Sequence, residues 1–129
     1  MLILTIRTDK PEAELGLYED TEQLTYLIWM AHRELAETIQ LKIEEMLAGQ
    51  NRQLSNIRGI VVFEGPGSFT GLRIGISVAN ALAYGLSTPI VATGSDWITN
   101  GISRLLKGDK DDVAIPEYGS LPNITQQLK

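Results

Sequence analysis

Hydrophobic and polar positions change their period several times along this chain, and each change marks an element. Residues 2–6 form a short apolar run that reads as a strand, and Arg7-Thr8-Asp9-Lys10-Pro11 has the composition of a turn. Residues 13–18 predict a second strand, Glu19-Asp20-Thr21-Glu22 a polar hairpin turn, and residues 24–30 a third strand rich in Tyr, Ile and Trp. Three strands so close in sequence predict an antiparallel meander. Over residues 31–47 the period becomes helical, with Leu35, Ile39, Ile43 and Met46 on one face and Gly49 at the expected stop. A polar loop, 50–56, leads to a fourth strand at 57–63. That strand is apolar at almost every position, as a strand covered on both faces should be. Residues 69–86 predict a second helix, Ser87-Thr88-Pro89 its break, and Ile90-Val91-Ala92 a short fifth strand. Ser95 is placed to cap a third helix over 96–107, with Trp97, Ile98, Ile102 and Leu105 facing inward.

The resulting order is βββαβαβα, an α/β class with a mixed five-stranded sheet and helices packed on it. It fits a single ribonuclease-H-like unit, the half-module of the actin-like ATPases. We divide the chain into a domain over 1–107 and a polar, extended C-terminal tail over 108–129, which carries Pro116 and Pro122.

Composition narrows the function. With 129 residues, one domain is expected, and 43% hydrophobic residues are enough for a core. The net charge of −5 argues against a chain that grips nucleic acid by itself, because phosphate neutralisation needs clustered Lys and Arg. The absence of cysteine excludes a disulfide framework and a thiolate metal site. No charged-then-apolar leader and no bilayer-length run stand out, so a cytoplasmic protein without membrane contact is expected.

The chemistry concentrates where the fourth strand meets the second helix, at Glu64-Gly65-Pro66-Gly67-Ser68-Phe69-Thr70-Gly71-Leu72-Arg73-Ile74-Gly75. A strand, a glycine-rich turn and a helix can present backbone N–H groups to an anion. The same glycines can serve packing alone. The turn lacks the lysine and the Gly-Lys-Ser/Thr ending of a P-loop, which favours structure. On that reading Gly65 and Gly67 permit unusual backbone angles beside Pro66, and Ser68 or Thr70 caps the helix. On a helical wheel, Phe69, Leu72, Ile76, Ala79, Ala83 and Leu86 form one stripe, and Gly71, Gly75, Val78, Leu82 and Gly85 a second. Arg73, Ser77, Asn80 and Tyr84 form a polar edge. An outer helix on a sheet needs one apolar stripe, and each helical glycine costs roughly 1 kcal/mol against alanine. The second stripe therefore predicts close approach of another helix backbone, supplied by the first helix of this chain or from outside it.

The run from Gly65 to Gly75, followed by Ala79 and Gly85, closely resembles the signature of the TsaB (YeaZ) family. Residues 2–8 are similar to that family's opening strand, and His32 with the helix behind it to the start of its first helix. The resemblance covers about the first hundred residues, the scale of one domain. It implies an actin-like ATPase fold without catalysis, acting in the synthesis of N6-threonylcarbamoyladenosine in tRNA. It further implies pairing with a TsaD-like transferase through helices 31–47 and 69–86, which complete a four-helix bundle, and regulation by a TsaE-like ATPase. Relatives also self-associate through the same helices. The interface residues it implies are His32, Leu35, Ile39, Gly71, Arg73, Gly75, Val78 and Leu82, with tRNA met only through the complex. No catalytic residue, cofactor site or metal site is expected.

Three features depart from the family pattern. Arg7 stands before Thr8 where members carry an Asp, and in active actin-like ATPases that carboxylate helps to position magnesium. The length leaves no room for a second domain of similar fold, and so for a nucleotide cleft. Ile115-Pro116-Glu117-Tyr118-Gly119 is similar to the family's closing Pro-x-Tyr stretch, which suggests a shortened member with most of its second domain missing internally. Asp9 and Glu64 are the acids nearest the strand ends. Beside Arg7, and without a third acid, they make a poor two-metal site and are expected to be solvated turn acids. His32 is the only histidine and has no zinc-ligand partner, so it reads as a packing or hydrogen-bonding residue. Glu34, Glu37, Glu44 and Glu45 read as a solvated helix face that could also steer a basic partner. Two rivals to the scaffold remain: a self-sufficient homodimer built on the same helices, and a small magnesium-dependent nuclease or phosphotransferase.

Overall fold

The structure is a computed structural model and describes residues 1–67 and 69–117. Ser68 of the turn, and Tyr118, Leu121, Pro122 and Ile124 of the tail, lie outside the described residues. Strands β1 (Leu2–Arg7), β2 (Glu12–Glu19) and β3 (Glu22–Met30) come first, followed by helix α1 (Leu35–Gly49). Strand β4 (Gly59–Phe63), helix α2 (Phe69–Leu86), strand β5 (Ile90–Thr93) and helix α3 (Trp97–Leu106) complete the order. The five strands make one sheet in the order β3-β2-β1-β4-β5. The β1–β2 and β2–β3 pairs are antiparallel, and the β1–β4 and β4–β5 pairs are parallel.

Strand alternation assigns the two faces. Thr5 pairs with Val61, and Val61 packs against Gly101 of α3. Thr8 points the other way and packs against Gly75 of α2. Helices α1 and α2 therefore share one face, and α3 lies on the opposite face over β4 and β5. Every residue of β4 is buried, as its unbroken apolar run requires. Helix α3 makes no comparable contact with β2 or β3. Among the described residues no helix covers the outer half of this face, and Ile28 (58%) and Met30 (56%) are exposed there.

Several boundaries differ from those the sequence predicts. The first α-helix begins at Leu35, because His32–Glu34 form a 3-10 turn in which His32 has φ of 48°. Helix α1 ends at Gly49, where the sequence places its stop. Asn51 takes the left-handed conformation just beyond (φ 57°), and the N–H of Arg52 returns to the Leu47 carbonyl at 2.9 Å. A 3-10 turn, Leu54–Asn56, precedes β4, which begins at Gly59. Ser95 does not cap α3: Asp96 holds the cap position at φ 48° without a side-chain bond, and the Ser95 carbonyl accepts from Asn100 instead.

The polar stretch after α3 is bound to the domain rather than free of it. Arg104 pairs with Asp109 and Asp111, both at 2.7 Å, and the second Asp111 oxygen accepts the Ala92 N–H at 2.8 Å. Asn80 on α2 donates to the Ala114 carbonyl and accepts from its N–H, at 3.0 and 2.8 Å. The Glu117 N–H then meets the Glu64 carbonyl.

Candidate functional site

The ends of β1 and β4 converge on the first turn of α2, and the glycine-rich signature occupies this junction. Gly65 has φ of +114°, a backbone conformation closed to other residues without strain, and precedes a cis peptide bond to Pro66. A side chain at Gly65 would run into the Glu117 carbonyl, and one at Gly67 into Asp9. Gly75 faces Thr8, whose hydroxyl donates to the Gly71 carbonyl at 2.7 Å. Contrary to the expectation from the helical wheel, Gly75 is small to admit the Thr8 side chain just past β1, not the backbone of another helix. Gly85 has open space around its Cα.

The end of β1, where the family resemblance implies a carboxylate, holds a locked cation. Arg7 donates from Nε to Asp9 Oδ1 at 2.8 Å, and its guanidinium sits 3.9 Å from the centroid of the Phe63 ring. The hydrogen bond to Asp9 holds the Arg7 guanidinium above its ordinary range despite the opposing effect of burial. Asp9 is not a solvated turn acid, since its side chain is 8% exposed and is committed to Arg7. Burial pushes the Glu64 carboxyl up, and the negative charges of Asp111 and Glu117 add to the effect. Among the described residues no group of three His, Asp or Glu side chains could hold a metal ion.

The outward surface of α1 and α2 is the other candidate. Leu35 and Ile39 are buried beneath α1, and Gly75 beneath α2, so these three support the domain's own packing rather than its surface. Gly71 is half-buried. His32 and Arg73 are exposed, and Val78 and Leu82 are half-buried on the outer side. Ala36 on α1 and Thr70, Arg73, Ile74, Ser77 and Val78 on α2 line an open groove between the helices. Further along α2, Ala81 and Gly85 are exposed and Tyr84 stands out at 90% exposure. The face is mostly small or apolar side chains with one cation at its upper end.

Residues 29–95, just over half of the chain, match the family model described as "TsaD: tRNA N6-adenosine threonylcarbamoyltransferase". The chain is 30% identical over 113 residues to the tRNA threonylcarbamoyladenosine biosynthesis protein TsaB of Escherichia coli, covering 82% of this chain and 48% of that one. Among solved structures it is similar to YeaZ from Pseudomonas aeruginosa, with a TM-score of 0.67 and 27% identity over 72% of this chain and 43% of that one. The chain belongs to the TsaB (YeaZ) family. It is also similar to a tRNA N6-adenosine threonylcarbamoyltransferase of Geotalea daltonii, 48% identical over 87 residues, which is 67% of this chain and 24% of the relative. Thermus thermophilus RuvC shares the fold at a TM-score of 0.54 and 14% identity, over 92% of this chain and 85% of that one. The fold is thus the ribonuclease-H-like unit of the actin-like ATPases that the βββαβαβα order predicts. This TsaB-family chain spans about half the length, or less, of the curated relatives it matches. Among its described residues no helix is long and apolar enough to cross a membrane.

Two anchors in this region were missed by sequence reasoning. Asn80 was assigned to a polar edge, and only the structure gives it Ala114 as a partner. Asp111 falls in the stretch that reads as a polar, extended tail, yet its carboxylate joins β5 to α3.

Proposed function

We infer that this chain acts in the synthesis of threonylcarbamoyladenosine in tRNA as a non-catalytic subunit that pairs with a TsaD-like transferase. The observation that carries this reading is the outer face of α1 and α2, where Ala36, Ser77, Ala81 and Gly85 are small and exposed beside half-buried Ile74, Val78 and Leu82. Small side chains on adjacent helices let two further helices come close, as a four-helix bundle needs. Arg73 at the upper end of that face offers a charge to an acidic partner side chain. The Arg7–Asp9 pair supports the non-catalytic part, since a fixed cation at the β1 end opposes a bound magnesium ion. On this reading tRNA is met only through the assembled complex, and a TsaE-like ATPase joins that complex rather than this chain alone.

The 48% match to a named transferase favours a second reading, in which this chain is itself of the catalytic type. Light scattering of the chain, of TsaD and of their mixture, followed by threonylcarbamoyl transfer assays on each, separates the two. A mixed species of summed mass, with transfer activity absent from this chain alone, supports the scaffold. Transfer activity of this chain without TsaD overturns it.

A further inference from the structure

The two edges of the sheet differ. At β5 the chain itself occupies outward-facing groups: the Asp111 N–H donates to the Ile90 carbonyl at 2.8 Å, and an Asp111 carboxylate oxygen accepts the Ala92 N–H at 2.8 Å. At the other edge, β3 pairs among the described residues with β2 alone. Its run Leu24-Thr25-Tyr26-Leu27-Ile28-Trp29-Met30 holds no charge and no proline, the residues that usually keep a bare edge from pairing. Such an edge offers a row of unpaired N–H and C=O groups to another strand.

The hydrogen-bond pattern fixes which groups face outward. The Ala31 N–H donates to the Pro11 carbonyl at 3.0 Å, so Pro11 and Ala31 form a hydrogen-bonded pair that continues the β2–β3 ladder. Such pairs alternate along an antiparallel ladder, which makes Ala13 with Trp29 and Leu15 with Leu27 hydrogen-bonded pairs as well. The N–H and C=O groups of Tyr26, Ile28 and Met30 therefore point away from β2. Opposite Leu17 and Tyr18 the register shifts and leaves Leu24 without a partner, so the regular edge begins at Thr25. At its other end His32 has φ of 48° and leaves the extended conformation. Ile28 stands midway between these limits.

We propose that β3 pairs with β3 of a second copy of this chain, antiparallel and about a two-fold axis through Ile28, joining two five-stranded sheets into one. In that register Ile28 lies opposite its own mate and Tyr26 opposite Met30. Every outward group from 26 to 30 then finds a partner, and each pair exchanges two hydrogen bonds. Centring the axis on Leu27 instead would set Met30 opposite Leu24 at the register shift and lose those bonds. The side chains also match themselves: Ile28 meets Ile28 and Met30 meets Tyr26 on the open face, and half-buried Leu27 meets half-buried Trp29 on the other, with no charge opposite a charge. This self-match selects a second copy over an unrelated strand, and it gives a closed pair rather than a growing chain. Helix α3 lies over β4 and β5, away from this edge. The outer face of α1 and α2 stays free, so the pairing is distinct from a dimer built on those helices.

Sedimentation equilibrium of the full chain and of Ile28→Lys, Ile28→Pro and Ser77→Arg tests this. The parent should dimerise at micromolar concentration. Its dissociation constant should rise at least tenfold in Ile28→Lys, which sets like charges face to face, and in Ile28→Pro, which removes an N–H that faces away from β2. Ser77→Arg, on the outer face of α2, should dimerise as the parent does. The chain has no cysteine, so oxidative cross-linking of single-cysteine variants reports the register. Opposite Cα atoms of a hydrogen-bonded pair lie about 5.5 Å apart, within disulfide reach, whereas the two Met30 residues would lie about 14 Å apart. Ile28→Cys should therefore form a covalent dimer at least tenfold faster than Met30→Cys, although the two positions are similarly exposed. A monomeric parent would leave the edge to a strand of another protein and overturn the proposal. A dimer that both Ile28→Lys and Ile28→Pro leave intact, a dimer that Ser77→Arg dissolves, or equal cross-linking rates would overturn it as well.

Discussion

Gly75→Ala tests whether the signature glycine serves the domain's own packing. The new Cβ would lie 2.9 Å from Thr8 Cγ2 and 3.0 Å from Thr8 Cβ, and closer still to the hydroxyl oxygen. Thr8 is 1% exposed and cannot swing out, and its hydroxyl is tied to the Gly71 carbonyl at 2.7 Å. Overpacking at such a site costs about 1–3 kcal/mol. Displacing the hydroxyl from its acceptor adds about 1 kcal/mol. Against this, alanine gains roughly 1 kcal/mol of helix propensity over glycine. The net loss is about 1–3 kcal/mol, or roughly 4–10 °C in Tm for a domain of this size. Urea denaturation of the parent, Gly75→Ala, Thr8→Ala and the double variant gives the coupling directly. Removing the threonine hydroxyl and methyl should recover about 1 kcal/mol of the alanine penalty. A Gly75→Ala variant as stable as the parent, or additive losses in the double variant, would show that Gly75 is not small on account of Thr8.

Three further outcomes follow from the structure. Asn80→Ala removes both bonds to Ala114 and should cost about 1–2 kcal/mol, with faster amide exchange over 113–117 and little change in β4. Arg7→Met strands the nearly buried Asp9 carboxylate and should cost about 1–3 kcal/mol in denaturant titrations, most of it recovered by adding Asp9→Asn. Glu64 binds its proton more tightly in the folded state, so its contribution to stability is full below the ordinary glutamate range and falls as pH rises through the raised value. Glu64→Gln should therefore raise Tm relative to the parent at pH 7 and lose that advantage at pH 4; an equal effect at both would show the carboxyl is not desolvated.

What was legible in the sequence was the part fixed by local period. Helix α2 runs from Phe69 to Leu86, as its apolar repeat predicts, and β4 is buried on both faces, as its unbroken apolar run predicts. What failed depended on partners far away in sequence. The second stripe of α2 gave no sign that Gly75 meets Thr8, 67 positions earlier, because a small residue looks the same whether a strand or a helix approaches it. Helix α1 ends at Gly49 as expected, but the left-handed residue beyond it is Asn51 rather than a glycine, since asparagine tolerates that conformation. Ser95 had the composition of a cap, yet its neighbour Asp96 takes φ 48° and leaves the serine side chain unused. Asp9 could not be told from a solvated turn acid, because what surrounds it, the Arg7 guanidinium and the turn at Gly67, is set by the fold. Of the residues that the family resemblance groups together, Arg73, Val78 and Leu82 reach the outer side of α2, whereas Leu35, Ile39 and Gly75 are buried, a difference that spacing alone does not reveal.

The affinity of this chain for TsaD, measured by titration calorimetry for the parent and for Ser77→Arg, tests the proposed pairing most directly. Ser77 is exposed at the middle of the outer face of α2, so the variant should fold and melt as the parent does. An arginine there would have to be buried against a close-packed partner helix. Its cost of about 3 kcal/mol or more would weaken binding at least a hundredfold. Undiminished affinity of a folded Ser77→Arg variant would place the partner elsewhere and contradict the account.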